Sequence, residues 1–238
     1  MDYENSFISP QNLFGEQFES VVDSLSTNSP FPQAQSNMVP HKAKLKAALI
    51  HLDETVFFGQ VAYQDLQPTE TIEICAGFGL PSITINKVFG IKAACIDSDL
   101  EKMVAGQEIC KKMGINLTWQ QADVFAFLKE NNNKLQGKTL LATAAYSSDK
   151  TKGKAPGSGE KDIVNFAKEN RINLALFPFR TGDIINKGVS NEKKRTKEYE
   201  ELLKQAGYTV KKHSTEILFR GQGAPDWFFL DILTAKCN

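Results

Sequence analysis

Apolar residues change their spacing twice along this chain. In QNLFGEQFESVVDSL, residues 11–25, Leu13, Phe14, Phe18, Val21, Val22 and Leu25 recur close to i, i+4, i+7, which predicts a helix with one buried face. The segment 26–40, STNSPFPQAQSNMVP, is rich in Ser, Asn, Gln and Pro and predicts a loop or hinge. Residues 41–66, HKAKLKAALIHLDETVFFGQVAYQDL, read as one or two further helices.

From residue 71 onward, short apolar runs alternate with amphipathic segments. The runs TIEICAG, KAACIDSD, LTWQQAD, TLLATAAYS and NLALFPF predict five strands, with helices near 80–90, 100–113, 124–132 and 159–171. Such alternation builds a parallel sheet with crossover helices. A further helix spans 192–206 and stops at Gly207, a suitable residue for the left-handed position that ends a helix. The tail then breaks the alternation. YTVKKHSTEILFR and WFFLDILTAKC are joined by GQGAPD with no helix between them, which predicts an antiparallel hairpin. The expected fold is therefore α/β, a Rossmann-like seven-stranded sheet of five parallel units plus a C-terminal antiparallel β-hairpin. An N-terminal helical cap (1–66) would precede the main domain (67–238).

Composition narrows the function classes. With 41% hydrophobic and 24% charged residues among 238, the chain can bury a sizeable core. Its 28 Lys plus Arg balance 28 Asp plus Glu, so no global basic field favours duplex nucleic acid or an anionic membrane. Four scattered cysteines form no CxxC pair and three histidines share no ligand spacing, so no metal site is expected. The acidic N-terminus lacks the apolar core of a signal peptide, and no run is long enough to span a bilayer. The expectation is a cytoplasmic protein of undetermined oligomeric state.

Three strand ends carry the candidate chemistry. In EICAGFG, Glu73 lies on the first strand and Gly77 and Gly79 open the turn into a helix. Ligands of open α/β sheets bind beyond the carboxyl ends of the strands, and glycines there let the backbone come close. A dinucleotide site uses GxGxxG with a pyrophosphate on the helix N-terminus. Here the third glycine is absent, Cys75 holds the first glycine slot, and an acid precedes the loop. A carboxylate at Glu73 repels pyrophosphate and suits a cationic amino-acid ligand, which favours S-adenosylmethionine (SAM) over NAD. Asp97 closes the second strand, where an acid can accept both hydroxyls of a ribose. Asp99 reads as the N-cap of the next helix. Asp123 follows the third strand, placed either to take an adenine amino group, with Val124 or Phe125 against the ring, or to cap the next helix.

The order Glu73-x-x-x-Gly77-x-Gly79, Asp97, Asp123, five alternating units and a terminal hairpin resembles the class I SAM-dependent methyltransferase family over residues 70–238. The resemblance implies that Glu73, Ala76, Gly77 and Gly79 shape the methionine and ribose end of a SAM site. It also implies that Asp97 and Ser98 hold the ribose and Asp123 with Val124 the adenine. CAGFG echoes the FAGxG of several DNA methyltransferases, but TAAYSSDK stands where those enzymes carry a Pro-Cys or Asn-Pro-Pro-Tyr box. A small-molecule acceptor is therefore expected, with Tyr146 and Arg180 as the catalytic candidates. The alternatives are transfer or cyclisation of the aminocarboxypropyl arm, which releases methylthioadenosine, and a non-catalytic binding module.

Overall fold

The computed structural model describes residues 7–27, 41–143, 158–177, 190–220 and 225–238. The chain divides into two compact units, Met1–Asn131 and Asn132–Asn238.

In the first unit, α1 (Pro10–Phe14) starts at Ser9, whose hydroxyl accepts the Asn12 N–H. After a single 3-10 turn come α2 (Phe18–Thr27) and one unbroken helix, α3 (His41–Leu66). Gln60 on α3 clasps the segment before α1 through two bonds. Its Oε1 accepts the Ile8 N–H at 2.7 Å and its Nε2 donates to the Ile8 carbonyl at 2.9 Å. The stripe predicted from spacing is the one that is buried: Leu13, Phe14, Val21, Val22 and Leu25 share a core with Leu52, Val56, Phe78, Ile83 and Cys95. The helical segment expected to form a cap is thus built into the same core as the strand ends it precedes. The hinge at 28–40 lies outside the described residues.

Next come β1 (Glu70–Ile74), α4 (Leu80–Phe89), β2 (Lys92–Asp97), α5 (Leu100–Met113), β3 (Thr118–Gln121) and α6 (Val124–Leu135). β1 and β2 pair in parallel with Ile72 opposite Ala94, and β2 and β3 with Cys95 opposite Trp119. Thr71 to Ile74 are all buried, as expected of a parallel strand covered on both faces. Helices α3 and α4 come close at Gly59, where a Cβ would stand 2.9 Å from the Pro81 carbonyl. Further along, Tyr63 and Phe89 stack at 3.7 Å.

The second unit holds β4 (Thr139–Thr143), α7 (Ser158–Asn170), β5 (Asn173–Phe177), α8 (Ser190–Gln205), β6 (Tyr208–Arg220) and β7 (Pro225–Cys237). β4 and β5 are parallel, β7 returns antiparallel to β5, and β6 pairs with β7 from Tyr208 opposite Cys237 to Arg220 opposite Pro225. Tyr208 donates its hydroxyl to the Ala167 carbonyl at 2.7 Å, which fixes the start of β6 against the end of α7. Within the first unit the strands are ordered β3-β2-β1, and within the second β4-β5-β7-β6, whose last two strands form the predicted hairpin.

Candidate functional site

The candidate site lies in the first unit, at the carboxyl ends of β1, β2 and β3. β1 ends at Ile74, and the chain then takes left-handed conformations at Cys75, Gly77 and Gly79, with φ of 56°, 51° and 67°. Cys75 is the exception to side-chain preference. A non-glycine residue there costs about 1–2 kcal/mol of backbone strain, which gives a physical reason for expecting glycine in that slot. Within the turn, Ala76 N–H donates to the Ile96 carbonyl at 3.1 Å and Gly79 N–H to the Ala76 carbonyl at 2.7 Å.

Gly79 is the N-cap residue of α4 and has no side chain with which to cap it. The strand below supplies the acceptor. Glu73 Oε2 accepts the Ser82 N–H at 2.9 Å, satisfying one of the donors a helix start leaves open. The Glu73 side chain is fully buried, and its Oε1 makes no hydrogen bond of normal geometry among the described residues. Burial pushes its pKa up to about 8; Ser82, through hydroxyl and amide, pulls the other way, and Asp97 adds to the rise. Glu73 therefore acts on the turn from inside, as a brace.

Asp97 grips the same turn from the other side. Its Oδ2 accepts the Gly77 N–H at 2.7 Å and its Oδ1 the Asp99 N–H at 2.8 Å. Its carbonyl accepts the Ala122 N–H at 2.9 Å, so this residue joins the ends of β1, β2 and β3. Ser98 is exposed beside it, and its carbonyl accepts from the Gln121 side chain at 3.3 Å. Asp99 is the N-cap of α5, as expected, accepting the Lys102 N–H and pairing with Lys102 Nζ at 2.9 Å. The Lys102 stem passes over Gly77, whose missing Cβ would lie 3.6 Å from Lys102 Cδ. At the third strand end, exposed Asp123 accepts the Ala126 N–H at 2.9 Å and caps α6, while Val124 is buried.

Two glycines and a tryptophan lock this corner, and sequence reasoning passed over two of the three. A Cβ on Gly79 would stand 2.7 Å from Trp119 Cη2 and 2.9 Å from Cys95 Sγ. A Cβ on Gly106, in the middle of α5, would meet both the Phe78 carbonyl and Trp119 Cη2 at 2.5 Å. The Trp119 ring thus sits where both glycines leave room. A glycine inside an amphipathic helix was the signal available, because it costs about 1 kcal/mol against alanine unless close packing requires it. His51 on α3 was also missed. Its ring meets Phe78 edge-on at 6.5 Å, and burial followed by the Lys102 charge lowers its pKa to about 4, so the ring is neutral at pH 7.

Tyr146 and Arg180 lie outside the described residues. Among the described residues, no group of three or more His, Cys, Asp or Glu is arranged to hold a metal ion, and no helix is long and apolar enough to cross a membrane.

No family model matches this chain, and no curated protein matches it in sequence. Solved structures do match in fold. Precorrin-6y C5,15-methyltransferase from Geobacter metallireducens GS-15 superposes with a TM-score of 0.52 at 13% identity, covering 78% of this chain and 89% of its own. The O-methyltransferase TomG from Streptomyces achromogenes, solved in complex with SAM, gives 0.50 at 11% identity over 93% of this chain and 90% of its own. Cofactor-bound Rv0187 from MTB gives 0.50 at 8% identity, covering 92% and 91%. At these identities the likeness defines the fold: the chain has the class I SAM-dependent methyltransferase fold.

Proposed function

We propose that this protein is a SAM-dependent methyltransferase acting on a small-molecule acceptor. The observation that carries the reading is Asp97, one half-buried carboxylate that fixes the Gly77 turn and the start of α5 while each of its oxygens retains a second lone-pair direction. That is an arrangement able to accept the two hydroxyls of a ribose. The remaining residues fit the same group. Among the described residues, only the flexible Lys102 stem comes within 4 Å of where a Cβ on Gly77 would be. A ligand can therefore approach the backbone there.

In this reading Glu73, through its hold on Ser82, keeps Ala76, Gly77 and Gly79 in the shape that receives the methionine and ribose end. Asp97 and Ser98 take the ribose, and Asp123 with Val124 takes the adenine edge. When bound, SAM supplies an electrophilic methyl group on a sulfonium. The protein's task is then to hold an acceptor in line with that methyl and to keep water away, since proximity and orientation supply much of the acceleration. Tyr146 and Arg180 are proposed on the acceptor side, Arg180 as a partner for a substrate carboxylate. The fold of TomG, itself an O-methyltransferase bound to SAM, supports the reading.

Calorimetric titration with SAM and with NAD tests it. SAM is expected to bind, and binding of NAD without SAM sinks the proposal. Incubation with SAM then separates the chemistry, because methyl transfer yields S-adenosylhomocysteine and arm transfer yields methylthioadenosine.

A further inference from the structure

We propose that Glu54 of α3 is the acid–base residue on the acceptor side of this site, taking the proton that a hydroxyl or amine acceptor gives up on methylation. The proposal deepens the methyltransferase reading and rests on it.

Its footing is geometric. Three residues join Leu66, the end of α3, to Glu70, the start of β1. Helix α3 packs along α4 with His51 by Phe78, Gly59 by Pro81 and Tyr63 by Phe89, so it runs in the same sense as α4 and opposite to β1. From Leu66 to Glu54 the helix rises about 18 Å, and β1 itself spans about 16 Å. Glu54 is therefore level with the carboxyl end of β1, where the glycine turn begins. The contact of His51 with Phe78 at 6.5 Å confirms that level. His51 and Glu54 are three residues apart and share one face of the helix.

Glu54 is 4% exposed, and its Oε1 has no hydrogen-bond partner among the described residues. Other buried polar side chains of α3 are satisfied: Thr55 Oγ1 donates to the His51 carbonyl at 2.7 Å, and Gln60 clasps Ile8 at both ends. A buried acceptor left open costs stability, so a partner arriving with a bound molecule accounts for what packing alone does not. Burial, then the charge of Asp53, raises the Glu54 pKa to about 8. Asp53 on its own helix is the charged neighbour that acts on it; Lys102 from α5 acts on His51, and Lys87 of α4 lies in that helix's last turn. A carboxylate with so raised a pKa is a competent base for a phenol or an ammonium.

The step balances. A lone pair of the acceptor oxygen or nitrogen forms the bond to the methyl carbon, and the carbon–sulfur bond breaks with its electron pair passing to sulfur. The acceptor's proton moves to the ionised Glu54 and from there to water.

The test uses the full chain, tritiated SAM, and catechol and tyramine as acceptors, which together offer phenols and an amine. Wild-type kcat is expected to rise with pH through about 8. Glu54→Gln is expected to lose about 100-fold or more in kcat and all of that pH dependence, with calorimetric SAM affinity unchanged. Glu54→Asp should restore part of the rate. The proposal is overturned if Glu54→Gln keeps the wild-type kcat and pH profile. It is equally overturned if a protein that binds SAM methylates neither probe. Absence of SAM binding in the wild type brings down the methyltransferase reading itself, and this proposal with it.

Discussion

The turn after β1 and the turn after β3 were both expected to meet the cofactor, yet they are built in opposite ways. The first is held by residues distant in sequence. Asp97 reaches Gly77 from 20 positions away, Glu73 reaches Ser82 from 9, and Trp119 and Cys95 press on Gly79. The second is held by its own neighbour, Asp123 accepting from Ala126 three residues on. The first turn cannot change without disturbing three strands and two helices, whereas the second can relax alone. Rigid placement suits the end of a site where reacting atoms must be positioned to a fraction of an ångström. A locally capped helix start suffices where a ring needs only a hydrogen bond.

The largest effect should follow from filling the first turn. Gly79→Ala puts a methyl group 2.7 Å from the Trp119 ring in a conformation, φ 67°, that alanine avoids. Strain and overpacking together predict a loss of about 3–5 kcal/mol in urea unfolding. The double variant with Trp119→Leu should recover the steric part and leave the conformational part. A loss below about 1 kcal/mol in the single variant would mean that the turn is far softer than its packing implies.

An effect that reaches similar size only at alkaline pH should come from the brace. The Glu73 carboxyl has a folded pKa of about 8 against 4.5 when unfolded, so between those values the folded protein binds more protons. Its contribution to stability is full below about pH 4.5 and is lost as pH rises through about 8. Glu73→Gln keeps an oxygen for the Ser82 N–H and removes the ionisation. It should therefore raise stability by about 1 kcal/mol at pH 5 and by about 4 kcal/mol at pH 9, measured as the difference in unfolding free energy from wild type. Glu54 gives a slope of the same sign, with its pKa raised from 4.5 to about 8. His51, lowered from 6.5 to about 4, gives the opposite slope at acid pH. An equal difference at pH 5 and pH 9 would show that Glu73 is not the group that titrates.

Much of the fold was legible because parallel strands buried on both faces write themselves as short apolar runs. The hairpin was legible because no helix separates its strands. The first two strand ends were legible for a related reason: glycines and an acid at the close of an apolar run have few other uses. What escaped was the direction in which side chains act. Glu73 was read as meeting a cationic ligand through its charge, but nothing in TIEICAG shows that the carboxylate is sealed inside and bonded to Ser82. Cys75 was recognised as out of place, and the reason, a φ of 56°, needed the backbone. Gly106 and Trp119 are separate in sequence and meaningful only as a pair. Glu54 lies in a helix whose apolar positions are plain, and an acid among them gives no sign of whether it faces water. Tyr146 and Arg180 came from position along the strands alone, and they fall outside the described residues.

The smallest predicted effect separates the two uses of Asp123. As a cap it is worth about 1 kcal/mol, the usual loss when an N-cap acid becomes alanine. Asp123→Asn should restore that stability, since asparagine caps a helix as well as aspartate does. If Asp123 also accepts from the adenine amino group, both variants should weaken SAM binding in calorimetry, Asn less than Ala, because the amide oxygen can still accept one bond while the charge is gone. If it is a cap and nothing more, SAM affinity should follow stability and return to wild type with Asn. In either case the loss stays well below that of Gly79→Ala, because the Asp123 bond is exposed and spans three residues, and water can take its place.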